Sequence, residues 1–243
     1  MTDLTFPPPP APYRAILLFG PPGSGKGTQG KILSAIPGFF HSATGDIFRS
    51  LDLQSKAGRI FLEHSSRGEL VPDEFTINVW KQYIHGMELV NQFHPETEML
   101  ILDGVPRSVA QAKLLEDTIE VACVIHLQAD YDKMVERIRR RALKENRIDD
   151  AKEEVIRRRM QVYERDTRPL LEYYAGRRVV EIDAMMSQLR VLRAIIDVLV
   201  PLKERFDRGE SLTGGRARAA APAAATAVAP KLTTTTAVAA VAV

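Results

Sequence analysis

The sequence predicts a three-layer α/β fold, a five-stranded parallel sheet flanked by helices, and three observations predict it. Short apolar runs recur at residues 15–19, 99–102, 121–127 and 178–182, with a weaker one at Phe39-Phe40. Runs of this kind mark strands buried on both faces, as parallel strands are. Helical patterns fall between them, at 27–35, 46–51, 57–66, 73–86, 109–115, 131–143, 153–165, 169–174 and 187–206. Strands joined by crossover helices place the sheet in the middle, and such folds bind ligands at the carboxyl ends of their strands.

The ends of the chain differ from this body. Residues 1–13 form a Pro-rich lead-in, nearly all proline from 7 to 12, which favours extended backbone. From about residue 207 to 243 the composition narrows to Ala, Thr, Pro, Gly and Val, with no amphipathic period after the last helix, and a disordered tail is expected. The domain is therefore expected over 14–206.

Composition excludes several classes of function. Lys and Arg number 33 against 31 Asp and Glu, a formal net charge of +2, with both signs mixed along the chain. Bulk electrostatics gives no reason to expect nucleic acid or an anionic membrane as partner. No apolar stretch approaches the roughly 20 residues that span a bilayer. The N-terminal segment has neither the basic nor the apolar region of a secretory signal, so cytoplasmic residence is expected. The single cysteine, Cys123, lies in the apolar run Val121-Ala-Cys-Val-Ile-His-Leu127 and reads as a buried, inert thiol. The five histidines, His41, His64, His85, His94 and His126, have no ligand spacing and read as structural.

The first strand runs into Gly20-Pro-Pro-Gly-Ser-Gly-Lys-Gly-Thr28 and then a helix. Glycines let the backbone curl so that its N–H groups face an anion, and the helix adds the positive end of its dipole. Lys26 can reach terminal phosphates as a point charge. The strict phosphate-loop pattern has Ser or Thr directly after the lysine; here Gly27 intervenes before Thr28. An ordinary strand-to-helix turn is the bland alternative, and the strand–loop–helix context argues against it. A second strand, Met99-Leu-Ile-Leu-Asp103, ends on an aspartate. Taken alone Asp103 is equally a turn residue; beside a phosphate loop it is placed to meet Mg²⁺, through water.

Further blocks follow in order: Ala43-Thr-Gly-Asp-Ile-Phe-Arg49, Gly68-Glu-Leu-Val71, Asp103-Gly-Val-Pro-Arg107 with Gln111, Arg137 and Arg141, Arg147-Ile-Asp-Asp150, and Arg157-Arg-Arg159. Together with Gly-Lys-Gly-Thr28 they resemble the adenylate kinase family over about residues 14–205. The resemblance implies transfer of the terminal phosphoryl group of Mg·ATP to AMP, giving two ADP, by a monomer with a helical AMP-binding arm (about 44–73) and a short lid (about 140–151). It implies that Gly23, Ser24, Gly25, Lys26, Gly27 and Thr28 hold ATP phosphates, with Arg137 and Arg141, and that backbone near Met186 meets the adenine of ATP. It implies an AMP site of Thr44, Arg49, Glu69, Leu70, Val71, Gly104, Val105, Pro106, Arg107 and Gln111, with Arg147 and Arg159 between the nucleotides. The long-lid members of the family carry an insertion, sometimes clamped by zinc; five residues between Arg141 and Arg147 leave no room for it, and no zinc is expected.

Two departures stand out. Val105 replaces the family's usual phenylalanine. The spacing from Arg147 to Arg159 is one residue long, whereas Arg158 restores the count but breaks the alignment with Tyr163. Arginines suit this chemistry because they are permanently charged, planar and able to grip two phosphate oxygens. Arg107, Arg137, Arg141, Arg147 and Arg159 are thus the candidate catalytic residues with Lys26, while Arg139, Arg140, Arg157 and Arg158 read as solvated helix faces. Asp149 and Asp150 are open between capping the next helix and pairing with lid arginines. The alternatives are a UMP/CMP kinase of the same fold and a non-catalytic nucleotide-binding scaffold. The amide of Gln111 can accept from adenine N6 and donate to N1, but a flipped amide follows guanine equally well, so Gln111 alone does not decide the base.

Overall fold

The computed structural model describes residues 9–144 and 152–212. Five strands, β1 (Tyr13–Phe19), β2 (Phe39–Ala43), β3 (Met99–Asp103), β4 (Ile119–Gln128) and β5 (Val179–Asp183), form one sheet in the order β2-β3-β1-β4-β5. Every neighbouring pair is parallel. The helices are α1 (Lys26–Leu33), α2 (Thr44–Arg49), α3 (Lys56–Ser65), α4 (Asp73–Leu89), α5 (Val109–Leu115), α6 (Tyr131–Lys144), α7 (Glu153–Val162), α8 (Leu170–Tyr173) and α9 (Gln188–Asp207). Each expected strand and helix is present.

Side chains alternate across a strand, and β1 shows the result. Ala15, Leu17 and Phe19 enter one core with Leu100 and Leu102 of β3, Trp80 and Ile84 of α4 and Leu115 of α5. Ile16 and Leu18 enter the other with Met99, Ile101, Leu33 of α1 and Ile195 and Leu199 of α9. Cys123 is fully buried in the second core, where desolvation pushes its thiol up to about 11.

Helix starts follow local chemistry. Ser55, Ser108 and Ser187 cap α3, α5 and α9 by accepting the N–H of Gly58, Gln111 and Arg190. The cap position of α7 is Lys152, and Glu153 and Glu154 in its first turn complement the helix dipole. Asp149 and Asp150 lie outside the described residues.

The structure differs from the sequence expectations at four places. Tyr13, assigned to the lead-in, opens β1 and is buried at 6% exposure. The strand signalled by Phe39-Phe40 continues to Ala43, because its polar residue Ser42 is buried and accepts a hydrogen bond from Trp80 Nε1 at 3.1 Å. The helix expected over 153–165 gives way after Val162 to a π-helical turn, Tyr163–Thr167, closed by Arg168 N–H donating to the Tyr163 carbonyl. The boundary placed at 207 falls too early: α9 ends there, but Leu212 is buried at 5% and packs into the second core.

Candidate active site

A single cleft of about 550 Å³ opens at the carboxyl ends of β1, β2, β3 and β5. On one side lies the loop after β1. Gly23 has a left-handed φ of 84°, and a Cβ there would stand 2.9 Å from Ile138 of α6. Glycine is required on both counts, conformation and close packing. The loop ends on Gly25, and α1 starts at Lys26, with Lys26, Gly27 and Thr28 of its first turn lining the cleft. Lys26 Nζ folds back to donate to the carbonyls of Gly20 at 2.7 Å and Pro21 at 3.1 Å. Ser24, Gly27 and Thr28 complete this wall.

Asp103, at the tip of β3, lies beside the start of α1, its Oδ2 3.5 Å from where a Cβ on Gly27 would be. Burial alone would push its carboxyl up. His41, Lys26 and Arg107 together outweigh burial and hold it below the usual carboxylate value. His41 Nε2 stands 3.9 Å from Asp103 Oδ2, an ion-pair distance too long for a hydrogen bond. The histidine is wedged under α1: a Cβ on Gly30 would collide with its ring at 2.2 Å. The sequence reads His41 as structural, and the structure makes it the buried neighbour of the site's aspartate. No spacing signal marked it, since strand register alone brings β2 beside β3.

On the opposite side of the cleft α2 contributes Thr44, and the α3–α4 segment contributes Glu69, Leu70 and Val71. Arg49 donates to Asp46 at 2.7 Å, which Lys31 also approaches at 3.6 Å. Arg107 Nε donates to the carbonyl of Gly104 at 2.9 Å. Gln111 is 1% exposed; its Oε1 accepts the backbone N–H of Arg107 at 2.7 Å and its Nε2 donates to Asp73 at 2.8 Å. Pro106, reached through a cis peptide after Val105, lines the cleft. Val105 does not line it. At 1% exposure it packs in the first core, so the expectation that it touches substrate is corrected: its side chain points into the sheet–helix interface.

Among the arginines, Arg137 lines the cleft and donates to the carbonyl of Ala184 at 3.0 Å, next to Met186, which lines the same wall. Arg159 faces the cleft, whereas Arg158 turns to Glu69 at 3.8 Å, so of the two late arginines the structure brings Arg159 to the site. Arg140, expected on a solvated face, also lines the cleft while pairing with Glu136. The side chain of Arg141, and all of Arg147, lie outside the described residues.

Several lining residues carried no sequence signal. Ser65, Phe61, Thr76, Gln29 and Thr167 come from helical segments whose inward face is visible only once they are packed, and Tyr163 enters the sequence reading only as an alignment marker. The π-helical turn brings Tyr163 and Thr167 inward together: Tyr163 Oη bonds His126 Nε2 at 3.0 Å, and Thr167 Oγ1 donates to the carbonyl of Arg107 at 2.8 Å. Among buried side-chain atoms of the described residues, four have no hydrogen-bond partner: Thr44 Oγ1, Ser65 Oγ and Gln29 Oε1, whose residues line the cleft, and His41 Nε2, whose residue does not. Polar atoms buried without partners are uncommon in folded proteins, and three of these four gather where a ligand would lie.

The profile of the adenylate kinase family matches residues 18–179. The adenylate kinase of Corynebacterium urealyticum is 38% identical over 175 residues, covering 70% of this chain and 90% of that protein. That of Cyanothece sp. is 37% identical over 195 residues, covering 77% and 96%. That of Streptomyces avermitilis is 32% identical over 218 residues, covering 76% and 96%. A cleft built at the strand ends from a glycine-rich anion loop, a buried aspartate and converging arginines accords with these likenesses, and the chain belongs to the adenylate kinase family.

Proposed function

We propose that the cleft transfers the terminal phosphoryl group of Mg·ATP to AMP, reversibly, giving two ADP. The observation that carries this reading is that the glycine-rich loop with Lys26, the strand-end Asp103, the arginines Arg107 and Arg159, and Thr44, Val71 and Gln111 all line one continuous cleft. Two phosphate chains brought together repel each other, and the acceptor is already an anion, so positioning and charge stabilisation do most of the work. Gly23 to Thr28 would take the phosphates of ATP, with Arg137 and Arg141, and Ala184 to Met186 the adenine. Thr44, Arg49, Glu69 to Val71, Gly104, Pro106, Arg107 and Gln111 would take AMP, with Arg147 and Arg159 closing over the transferred group. Arginines so placed contribute roughly 10³–10⁵ in rate. Lys26 would exchange its loop carbonyls for phosphate oxygens when a nucleotide binds.

Magnesium fits the residues present. Among the described residues no three His, Cys, Asp or Glu side chains gather, and Asp103, beside the start of α1, is held ionised. That suits an ion that takes most of its oxygen ligands from phosphates and water. Bound there, Mg²⁺ would neutralise charge on the β- and γ-oxygens. The arm over 44–73 and the lid over 140–151 belong to this proposal, as do a monomeric, cytoplasmic enzyme and the absence of a nucleic-acid partner. The near-neutral, mixed charge supports the last of these, and no helix among the described residues is long and apolar enough to cross a membrane.

A coupled assay with ATP and a panel of monophosphates tests the reading. AMP is expected to exceed UMP, CMP and GMP by at least about two orders of magnitude in kcat/KM, since each unpaired buried polar group costs roughly 1–3 kcal/mol. Equal use of UMP or CMP would overturn the assignment of AMP.

A further inference from the structure

The amide of Gln111 can serve adenine in one orientation and a 6-oxopurine in the other, so a preference needs something that forbids the flip. The hydrogen bonds around it supply that constraint. The backbone N–H of Arg107 can only donate, and it reaches Gln111 Oε1 at 2.7 Å. The carboxylate of Asp73 can only accept, and its Oδ1 takes Gln111 Nε2 at 2.8 Å. The same Oδ1 accepts from Ser108 Oγ at 3.0 Å, and Ser108 Oγ in turn accepts the Gln111 backbone N–H at 3.1 Å as the cap of α5. Asp73 is the first residue of α4, so the latch joins the starts of two helices.

Turning the amide over would set its NH₂ against the Arg107 N–H and its oxygen against the Asp73 carboxylate. Two hydrogen bonds, one of them charge-assisted, would become two repulsions. In the orientation present, Oε1 keeps a second lone pair and Nε2 a second N–H. Those two valences pair with an exocyclic amino group and an unprotonated ring nitrogen, the 6-aminopurine pattern. An oxo group and a ring N–H meet them acceptor to acceptor and donor to donor.

We infer that Asp73 is a specificity-determining positioning residue: by holding the Gln111 amide in one orientation, it makes the acceptor recess take 6-aminopurines and refuse 6-oxopurines. This rests on the acceptor-site reading above. IMP is the discriminating probe, because it differs from AMP only in the hydrogen-bonding pattern at positions 6 and 1, whereas GMP adds a bulky amino group.

The test measures kcat/KM for AMP and IMP in the full chain, for wild type, Asp73→Asn, Asp73→Ala, and each of these with Gln111→Ala. Asp73→Asn is nearly isosteric and removes one of the two penalties against flipping. The AMP-to-IMP ratio should fall at least about fivefold in both single variants, with IMP gaining through a lower KM. In the Gln111→Ala background the same changes should move the ratio less than about twofold. If wild type itself showed no preference for AMP over IMP, the acceptor-site reading would fail. If wild type discriminates but both substrates lose equally in the Asp73 variants, Asp73 is merely structural and the inference falls. An undiminished effect without Gln111 would overturn it as well.

Discussion

Thr44→Val should make the protein more stable and a poorer enzyme. Thr44 opens α2, is 3% exposed, and its Oγ1 has no hydrogen-bond partner among the described residues. A buried hydroxyl left unpaired costs roughly 1–3 kcal/mol, and valine has the same shape without that cost. Helix propensities of the two residues are nearly equal, so α2 itself is not perturbed. In a domain of about 200 residues each kcal/mol moves the melting point by roughly 2–4 °C, and Tm is expected to rise by several degrees in the unliganded protein. If the hydroxyl finds its partner on the base of AMP, valine withdraws that bond, and kcat/KM for AMP should fall roughly tenfold, mostly through KM. Circular-dichroism melts and a coupled assay read the two effects separately. A lower Tm would show that the hydroxyl is satisfied within the free protein. A higher Tm with unchanged kcat/KM would show that it never meets the substrate.

Three other outcomes follow from the same geometry. Lys26→Met should abolish transfer while leaving the thermal melt near that of wild type, since the ammonium group bonds two loop carbonyls, those of Gly20 and Pro21, and belongs to neither apolar core; near-normal turnover would refute the catalytic reading. Asp103 has a depressed folded-state pKa, so its stabilising contribution is complete above the ordinary value of about 3.9 and is lost as pH falls through the lower folded value. Urea melts should show wild type losing stability over that acid range, and Asp103→Asn showing a flatter dependence; identical profiles would refute the pairing with His41, Lys26 and Arg107. A chain ending at residue 212 should melt like the full chain, whereas one ending at 206 loses the buried Leu212, about 2 kcal/mol or roughly 4–8 °C; equal melting points would show that Leu212 contributes nothing.

What could be read from the sequence was what local pattern encodes. The strand 15–19, the glycine loop and the helix after it are contiguous, so one segment states the whole anion cradle. The apolar runs of β3 and β4 gave the sheet, because a strand buried on both faces needs no partner to be recognised. What escaped depends on contacts between distant segments. Ser42 and His41 are polar residues in a buried strand, tolerated because Trp80 bonds one and Asp103 and Gly30 receive the other. Val105 sits within a block of site residues, yet its side chain turns into the core. The π-helical turn at 163–167 continues a helical pattern that sequence cannot tell from an α-helix, and the inward pull of Tyr163 and Thr167 is visible only in three dimensions. The C-terminal boundary is hard to read for a related reason: Leu212 follows the last helical period, and nothing local to it announces its place in the second core.

The most direct measurement of the central claim uses ADP alone. Reversible transfer between two adenine nucleotides in one cleft requires Mg·ADP and ADP to yield ATP and AMP in equal amounts, with no inorganic phosphate released. Followed by ³¹P nuclear magnetic resonance, the purified full chain should bring ADP to a steady mixture of all three nucleotides, with ATP and AMP equal throughout. Release of inorganic phosphate in step with AMP, or ADP that stays unchanged, would contradict it.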